Sequence, residues 1–240
     1  MNLTIDIGNT LQKIAVFNND ESVYCQPFPN ITKNILSSIL KQFPIHSSII
    51  SSVTDLDTQV VDLLTENTKM IHYSHQTKLP ITILYENAET LGLDRIANAV
   101  GAAKLFSSKN VLSIQAGTCL VFDFINEKGE YLGGSISPGI KMRFDALHEK
   151  TKKLPLLRAP AIEPDLMGLN TVASINCGVI KGMCYEIDGF IEEYSARFES
   201  LIVLFTGGDA DFLQKLIKNT IFAAPNLVLK GLNEIIKYNE

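Results

Sequence analysis

The sequence has little that would mark a nucleic-acid-binding or membrane protein. Its 240 residues carry 21 Lys and Arg against 26 Asp and Glu, so the net charge is −5 and no basic excess favours nucleic acid or an anionic membrane. No apolar run approaches the roughly 20 residues that a membrane helix needs. The N-terminus lacks a basic segment followed by a signal-like apolar core. These features predict a soluble cytoplasmic protein that binds neither nucleic acid nor membrane.

Cysteine is scarce, and its pattern is typical of a reduced protein. The four cysteines are Cys25, Cys119, Cys177 and Cys184. None lies at the short paired spacing of a zinc site, so all four are interpreted as reduced core thiols. A chain of 240 residues with 46% hydrophobic content is long enough for one large domain or two smaller ones.

The stretch from residue 3 to residue 10 carries the first functional signal. An apolar run ends at Asp6, and Gly8 follows two residues later. Asn9 and Thr10 then precede a second apolar run, which predicts a strand, a tight turn and a return strand. Gly8 permits the close approach of an anion, and the polar groups suit phosphate oxygens, with a Mg²⁺ ion bridging from Asp6. A plain hairpin with a turn-forming Asp and Gly is the alternative.

The same pattern recurs 109 positions later. There an apolar run ends at Gln115, and Gly117 and Thr118 precede the return strand at 120–124. Because the arrangement of strand, turn and strands occurs twice, the sequence contains an internal repeat. We therefore predict an α/β fold of two similar halves, residues 1–107 and 108–240, whose two turns face a shared cleft.

The stretch Leu91-Gly92-Leu93-Asp94-Arg95 is predicted to open a helix that runs to about Phe106. Ala97, Gly101 and Ala102 lie on one of its faces. Small side chains let two backbones approach each other, so this face is expected to pack closely against another helix.

Three further local signals concern helix ends and loops. Thr54 or Asp55 is expected to cap a helix that carries the apolar positions at 60–64. A helix is expected at 210–218 after a buried strand. Residues 150–168 contain three prolines and a basic cluster, and we interpret them as a solvated loop.

Five local patterns follow one another along the chain. They are Asp6-Ile-Gly-Asn-Thr10, Tyr85-Glu-Asn87-Ala-Glu-Thr-Leu-Gly92-Leu-Asp94-Arg95, Gln115-Ala-Gly117-Thr118, Gly133-Gly134-Ser-Ile-Ser-Pro138-Gly139 and Thr206-Gly207-Gly208. In this order, over almost the whole chain, they resemble the type III pantothenate kinase family. The resemblance implies a duplicated ribonuclease-H-like fold of the actin and sugar-kinase superfamily, with two mixed-sheet halves that flank a nucleotide cleft.

The resemblance also implies an activity and its partners. The reaction would transfer the γ-phosphoryl group of ATP to the primary hydroxyl of pantothenate, the first step of coenzyme A biosynthesis. The implied cofactors are Mg²⁺ and a monovalent cation, K⁺ or NH₄⁺, and the implied assembly is a homodimer with active sites at its interface. A kinase for another small alcohol and a non-catalytic ligand-binding or regulatory relative are the alternatives.

The residues that match the family motifs form two sets. Those that resemble the ATP and phosphate motifs are Asp6, Gly8, Asn9, Thr10, Lys13, Gly117, Thr118, Gly207 and Gly208. Those that resemble the pantothenate site are Tyr85, Gly92, Asp94, Arg95 and Thr171, the last expected to come from the partner subunit. Two alternatives stay open: Lys13 as an exposed strand lysine, and residues 206–208 as a plain strand-to-helix turn capped by Asp209.

Asp94 is the predicted catalytic base. Phosphoryl transfer has a loose transition state, so the base chiefly orients the attacking hydroxyl and accepts its proton. The alternative is that Asp94 only stabilises the N-terminus of a helix. Its position beside Arg95, whose planar guanidinium suits an anionic or amide-rich substrate, favours the catalytic role.

Gln115 departs from the pattern, because both the repeat and the family have aspartate at this position. An amide keeps an oxygen ligand and loses a charge, so Mg²⁺ affinity should fall. Asp6, Gln115 and Asp123 are the candidate metal ligands. Gln115 is either a tolerated substitution, an engineered trap or the sign of a relative that has lost catalysis.

Overall fold

The computed structural model describes residues 1–54 and 56–240. The strands are β1 (Asn2–Ile7), β2 (Gln12–Asn18), β3 (Glu21–Phe28), β4 (Ser47–Ser52), β5 (Lys69–Ile71), β6 (Thr82–Ile83), β7 (Val111–Ala116), β8 (Cys119–Ile125), β9 (Glu130–Pro138), β10 (Ile202–Thr206) and β11 (Phe222–Ala223). The helices are α1 (Lys33–Gln42), α2 (Thr58–Asn67), α3 (Leu93–Leu105), α4 (Ile140–Glu149), α5 (Thr171–Arg197), α6 (Ala210–Leu213) and α7 (Leu227–Asn239), with a 3₁₀ helix at Ala88–Thr90.

The two sheets share one strand order. The first runs β3-β2-β1-β4-β5, with β1 antiparallel to β2 and parallel to β4. The second runs β9-β8-β7-β10-β11, with β7 parallel to β10 and with β6 added beside β9. The order, in which three sequential strands are followed by two added on the side of the first, is therefore present twice. This repetition confirms the duplicated, mixed-sheet α/β fold.

Contacts divide the chain into two compact units that are not continuous in sequence. The first unit contains residues 1–108, 125–133 and 226–240, and the second contains residues 109–124 and 134–225. The closing helix α7 belongs to the first unit because it packs against α3 and β1. The division of the sequence into halves at residues 107 and 108 stays a prediction.

In the first unit, helices cover both faces of the sheet. Leu3 and Ile5 point to a core formed with α1 and α2, because alternate residues of a strand face opposite sides. Ala15 and Phe17 point to a second core with α3 and α7. The sheet therefore fixes α3, whose first turn carries Asp94.

The small face of α3 contacts α7, as its composition predicts. A Cβ atom on Gly101 would lie 2.5 Å from the carbonyl oxygen of Leu227, and one on Gly231 would lie 1.7 Å from that of Ala97. Both distances are far shorter than a van der Waals contact, so neither glycine can carry a side chain unless the helices separate.

In the second unit, the long helix α5 packs on the sheet. Leu112, Ile114 and Phe122 share a core with Ile180 and Ile187. Residues 150–168 contain no helix or strand, and the basic residues of this segment are exposed, as predicted. No helix among the described residues is long and apolar enough to span a bilayer.

Two helix boundaries differ from the prediction. Asp57 caps α2, since its carboxylate accepts a hydrogen bond from the Gln59 N–H at 2.9 Å; Thr54 is not the cap, and Asp55 lies outside the described residues. Helix α6 ends at Leu213 and does not reach residue 218. The backbone N–H of Lys218 donates to the Asp188 carboxylate at 3.1 Å, which holds this part of the chain in a non-helical path.

Candidate active site

The first candidate phosphate turn joins β1 to β2. The Gly8 N–H donates to the Leu11 carbonyl at 3.3 Å, and a Cβ on Gly8 would lie 3.1 Å from the same oxygen. Asn9 and Thr10 are exposed at the tip of the turn. The turn therefore presents small polar groups to solvent at the end of a buried strand, which is the arrangement that an anion site needs.

Asp6 lies at the base of this turn. Lys13 is its partner in β2 and Ser51 its partner in β4. Burial and, to a smaller extent, the negative charge of Asp94 raise the pKa of Asp6 to about 6, while Lys13 opposes the shift. The effect of the Asp94 charge on Asp6 indicates that the two carboxylates lie near each other within the first unit. A bound cation would offset the repulsion between these carboxylates.

The Lys13 side chain is partly buried and held by a hydrogen bond. Its Nζ donates to the side-chain oxygen of Asn226 at 3.1 Å. Asn226 has a left-handed backbone conformation, with φ of 57°, directly before α7. The exposed-lysine alternative is therefore wrong for Lys13, although its predicted role on phosphate stays a prediction.

Asp94 and Arg95 occupy the first turn of α3. A Cβ on Gly92 would lie 2.6 Å from Oδ1 of Asp94 and 3.7 Å from Cγ of Arg95, so the absence of a side chain at Gly92 makes room for both. Arg95 is buried, with 8% of its surface exposed. The Tyr73 hydroxyl donates to the Leu93 carbonyl at 3.0 Å and ties this turn to the preceding segment.

The ring of Tyr85 packs against residues of β9. This ring is 3.5 Å from the position of a Cβ on Gly133 and is tilted against Tyr131 with the ring centres 6.2 Å apart. Tyr131 belongs to a core cluster with Ile96 and Ala99 of α3. The first unit thus brings Tyr85 to the same hydrophobic cluster as the helix that carries Asp94 and Arg95.

The second candidate phosphate turn is held by two glycine motifs of the second unit. The Gly139 N–H donates to the Thr118 carbonyl at 3.1 Å, and a Cβ on Gly139 would lie only 2.0 Å from the carbonyl oxygen of Gly117. Gly207 has φ of 105°, and its Cβ would lie 2.0 Å from the Ala116 oxygen. Three patterns that are distant in sequence therefore meet at residues 116–118.

The residues at 206–208 form a strand-to-helix turn. Gly208 is exposed beside this turn, and the Asp209 side chain makes no capping hydrogen bond to α6. The Asp209 N–H instead donates to the Ala116 carbonyl at 3.1 Å. The loop is therefore attached to the end of β7 through its backbone, which leaves its outer edge open.

The predicted metal ligands have oxygen atoms of the kind that Mg²⁺ prefers. The side-chain oxygen of Gln115 is buried and has no hydrogen-bond partner among the described residues, so it can accept a cation or a water ligand. Asp123 is buried within β8, and its charge adds to the effect of burial, which is the main cause of the raised pKa of Tyr194. The described residues hold no cluster of three His, Cys, Asp or Glu side chains suited to a metal. The donor atoms of Asp6 and Gln115 fit Mg²⁺, and their role stays a prediction.

Thr171 is exposed at the N-terminus of α5, where Asn170 caps the helix through a 2.9 Å hydrogen bond from the Ala173 N–H. It borders a groove of about 1050 Å³ between α4 and the start of α5. The groove is also lined by Met142, Arg143 and Ile175. Thr171 is thus accessible to a ligand or to a second subunit.

Sequence reasoning did not identify several residues that shape these turns. Ser51 and Asn226 are such cases, because each is far from its partner along the chain. Gly133 and Gly139 belong to the motif at residues 133–139, for which the sequence indicates no specific role. Their requirement for glycine was the available signal, since glycine is typical of close backbone approach.

The Asp6→Asn variant should change how the stability of the metal-free protein depends on pH. Because the folded pKa of about 6 exceeds the ordinary value of 3.8, the folded state holds the Asp6 proton more tightly than the unfolded chain. Wild-type stability should therefore decrease as the pH rises between these two values and stay reduced above them. Asparagine does not titrate and removes this penalty. The difference in the free energy of unfolding between the variant and wild type should therefore shift in favour of the variant by about 2–3 kcal/mol from pH 3 to pH 8.

Urea unfolding without nucleotide or Mg²⁺, at both pH values, measures the difference. Ser51→Ala is the control, because it alters the neighbour of Asp6 without changing a titratable group, and it should keep the wild-type pH dependence. Equal effects of Asp6→Asn at pH 3 and pH 8 would contradict the assigned burial.

Comparison with known proteins gives one family. The sequence model described as "Type III pantothenate kinase" matches residues 2–193. A protein of that name from Christiangramia forsetii is 42% identical over 244 residues, covering 100% of this chain and 99% of that protein. Another of that name, from Cytophaga hutchinsonii, is 42% identical over 240 residues and covers 100% of both chains.

Solved structures show the same fold at low sequence identity. A protein from Campylobacter jejuni described as a Baf family transcriptional activator has a TM-score of 0.59 and 22% identity, with 99% of this chain and 98% of that chain covered. A glucokinase from an Antarctic psychrotroph has a TM-score of 0.51 and 11% identity, with 100% and 99% covered. At these identities the likeness shows the fold alone, and it agrees with the duplicated ribonuclease-H-like architecture.

Proposed function

The chain belongs to the type III pantothenate kinase family, and from this membership we infer that it uses ATP to phosphorylate pantothenate, the first step of coenzyme A biosynthesis. The observation that carries this conclusion is the 42% sequence identity to proteins of that name over the full length of the chain. A non-catalytic relative and a kinase for another alcohol are not favoured, because the similarity extends over the whole chain.

We propose that Asp94 accepts the proton of the pantothenate hydroxyl. Its support is its place in the first turn of α3, beside the buried Arg95 and with Gly92 leaving room for its carboxylate. Arg95 and Tyr85 are proposed to orient the substrate. A carboxylate that holds the hydroxyl in line with the γ-phosphate supplies the positioning on which phosphoryl transfer depends.

The nucleotide is proposed to bind through backbone and small polar groups. Gly8, Asn9, Thr10 and Lys13 would contact phosphate oxygens from the first unit. Residues of the second unit with the same proposed role are Gly117, Thr118, Gly207 and Gly208. Support comes from the two glycine-containing turns, each at the end of a buried strand, where exposed amides favour anions.

Mg²⁺ is proposed to be held by Asp6 and Gln115, with Asp123 as a further candidate. When bound, it would neutralise charge on the phosphate oxygens. The unpartnered oxygen of Gln115 supports its part in this set. A monovalent cation, K⁺ or NH₄⁺, is proposed from family membership without an assigned ligand.

A homodimer and a cytoplasmic location are also proposals. In the dimer, Thr171 of one subunit would contact the substrate held by the other. The groove beside Thr171 supports an interface here, as do the exposed apolar side chains of Met142 and Val172. Apolar surface of this kind is typical of a protein contact.

Activity measured against Mg²⁺ concentration, with ATP, pantothenate and K⁺, tests the function together with the role of Gln115. Wild type should form phosphopantothenate, and Gln115→Asp should lower the Mg²⁺ concentration for half-maximal rate by about tenfold, because a carboxylate adds a charge to the ligand set. Asn176→Asp is the matched control, since it converts another amide whose side-chain oxygen is buried without a hydrogen-bond partner to a carboxylate and should leave this concentration unchanged.

Two results would count against these assignments separately. No product from wild type at any Mg²⁺ concentration would contradict the function. Product formation with an unchanged Mg²⁺ requirement in Gln115→Asp would contradict the metal role of Gln115 and leave the function standing.

A further inference from the structure

Arg143 forms a junction behind the second candidate phosphate turn. Its Nε donates to the Pro138 carbonyl at 2.7 Å, and its Nη2 donates to the Ser137 hydroxyl at 3.3 Å. Nη2 also forms an ion pair with Glu186 of α5. One guanidinium therefore joins the end of β9 to the long helix of the second unit.

Glu186 engages this junction with both of its oxygens. One accepts from the Arg143 guanidinium, and the other accepts from the Ser137 hydroxyl at 2.5 Å. The side chains of Arg143 and Glu186 are only 21% and 23% exposed, and Ile187 next to Glu186 is fully buried. Partly buried, charge-assisted hydrogen bonds of this kind are stronger than exposed ion pairs and fix geometry.

The segment held by Arg143 is the one that touches the phosphate turn. Pro138 precedes Gly139, whose N–H donates to the Thr118 carbonyl at 3.1 Å. The Cα of Gly139 lies so close to the Gly117 carbonyl oxygen that no side chain fits at this position. The Arg143 N–H also donates to the Gly139 carbonyl at 3.1 Å. A shift at Pro138 therefore moves the backbone on which Gly117 and Thr118 rest.

We propose that Arg143 and Glu186 are positioning residues for ATP, which act through Ser137, Pro138 and Gly139 to set the orientation of the Gly117–Thr118 turn. This inference rests on the proposed function of that turn in nucleotide binding. Neither side chain needs to touch the nucleotide. Losing the junction should weaken ATP binding.

The test uses Arg143→Lys, Arg143→Met and Glu186→Gln in the full chain. Lysine keeps the charge but lacks the planar guanidinium that reaches Pro138, Ser137 and Glu186 together. Arg143→Met and Glu186→Gln each remove one partner of the ion pair. All three variants should therefore raise the KM for ATP by about tenfold. In Glu186→Gln, whose altered side chain does not line the groove beside Thr171, the KM for pantothenate should stay within about twofold of wild type. The double variant Arg143→Met/Glu186→Gln should match the single variants, because both changes break the same junction.

Glu193→Gln is the matched control on α5. Glu193 pairs with Arg197 at 3.1 Å, but these side chains are 71% and 72% exposed, so this variant should leave the KM for ATP unchanged. Thermal unfolding of every variant identifies any that do not fold. Arg143→Lys and Glu186→Gln, the smaller changes, carry the test if Arg143→Met is unfolded.

Calorimetric binding of a non-hydrolysable ATP analogue with Mg²⁺ separates this inference from the proposed function, because it needs no turnover. An increase of about tenfold in Kd for the folded variants supports positioning, whether or not wild type phosphorylates pantothenate. Values within twofold of wild type for folded Arg143→Lys and Glu186→Gln would overturn the inference. Equal increases in the KM values for ATP and pantothenate in folded Glu186→Gln would also overturn it.

Discussion

Replacing Asp94 by asparagine is expected to lower kcat for pantothenate phosphorylation by roughly 10²–10⁴-fold, the range for loss of a general base. Asparagine has nearly the same size, so the hydroxyl of pantothenate can still bind, but the amide cannot accept its proton. The backbone of this turn is held independently by Tyr73, whose hydroxyl donates to the Leu93 carbonyl. The fold and the affinity for ATP should therefore be retained.

Steady-state kinetics with saturating ATP measure the loss, and a thermal unfolding curve checks the fold. Asp211→Asn is the control, because Asp211 also lies in the first turn of a helix but is exposed and outside the proposed site. A general effect of helix N-terminal charge would give the two variants similar losses of stability and no loss of kcat. Near-wild-type turnover by Asp94→Asn would refute the assignment of the base.

Replacing Gly231 by alanine is expected to destabilise the first unit by about 3 kcal/mol, at the upper end for overpacking. The new Cβ would lie 1.7 Å from the Ala97 carbonyl oxygen, and the helix backbones fix the positions of both atoms, so neither can rotate away. Helices α3 and α7 must separate to relieve the overlap. Because α3 carries Asp94 and Arg95, the variant should also lose activity at temperatures where it remains folded.

Denaturant unfolding gives the stability change, and Gly182→Ala provides the comparison. A Cβ on Gly182 meets no atom within 4 Å, and the residue lies inside α5, where alanine is the better helix former. That variant should be as stable as wild type or more stable by up to about 1 kcal/mol. Equal stability of Gly231→Ala and wild type would show that the α3–α7 contact is looser than described.

Local patterns predicted much of the fold because strands, turns and helix faces depend on near neighbours in sequence. The turn at Gly8 and its repeat at Gly117 follow from apolar runs that end in small residues. The small face of α3 correctly indicated a close helix contact. Its partner α7 could not be predicted, because residues 97 and 231 are joined only by the folded chain.

The candidate site was predictable where a motif holds its own residues. Asp94, Arg95 and Gly92 lie within four positions of one another, so their proximity is local. By contrast, nothing near Lys13 in sequence indicates its hydrogen bond to Asn226, and nothing near Gly139 indicates that it supports Thr118. Such contacts depend on strand order and helix packing, which the local pattern does not encode.

The most direct measurement is the identity of the product formed from ATP and pantothenate. With Mg²⁺ and K⁺ present, mass spectrometry should find pantothenate carrying one added phosphoryl group, in amounts equal to the ADP released. An analogue in which hydrogen replaces the primary hydroxyl should yield no phosphorylated product, since it lacks the acceptor oxygen. ADP release without phosphorylated pantothenate, or no reaction with either compound, would contradict a kinase that uses this alcohol.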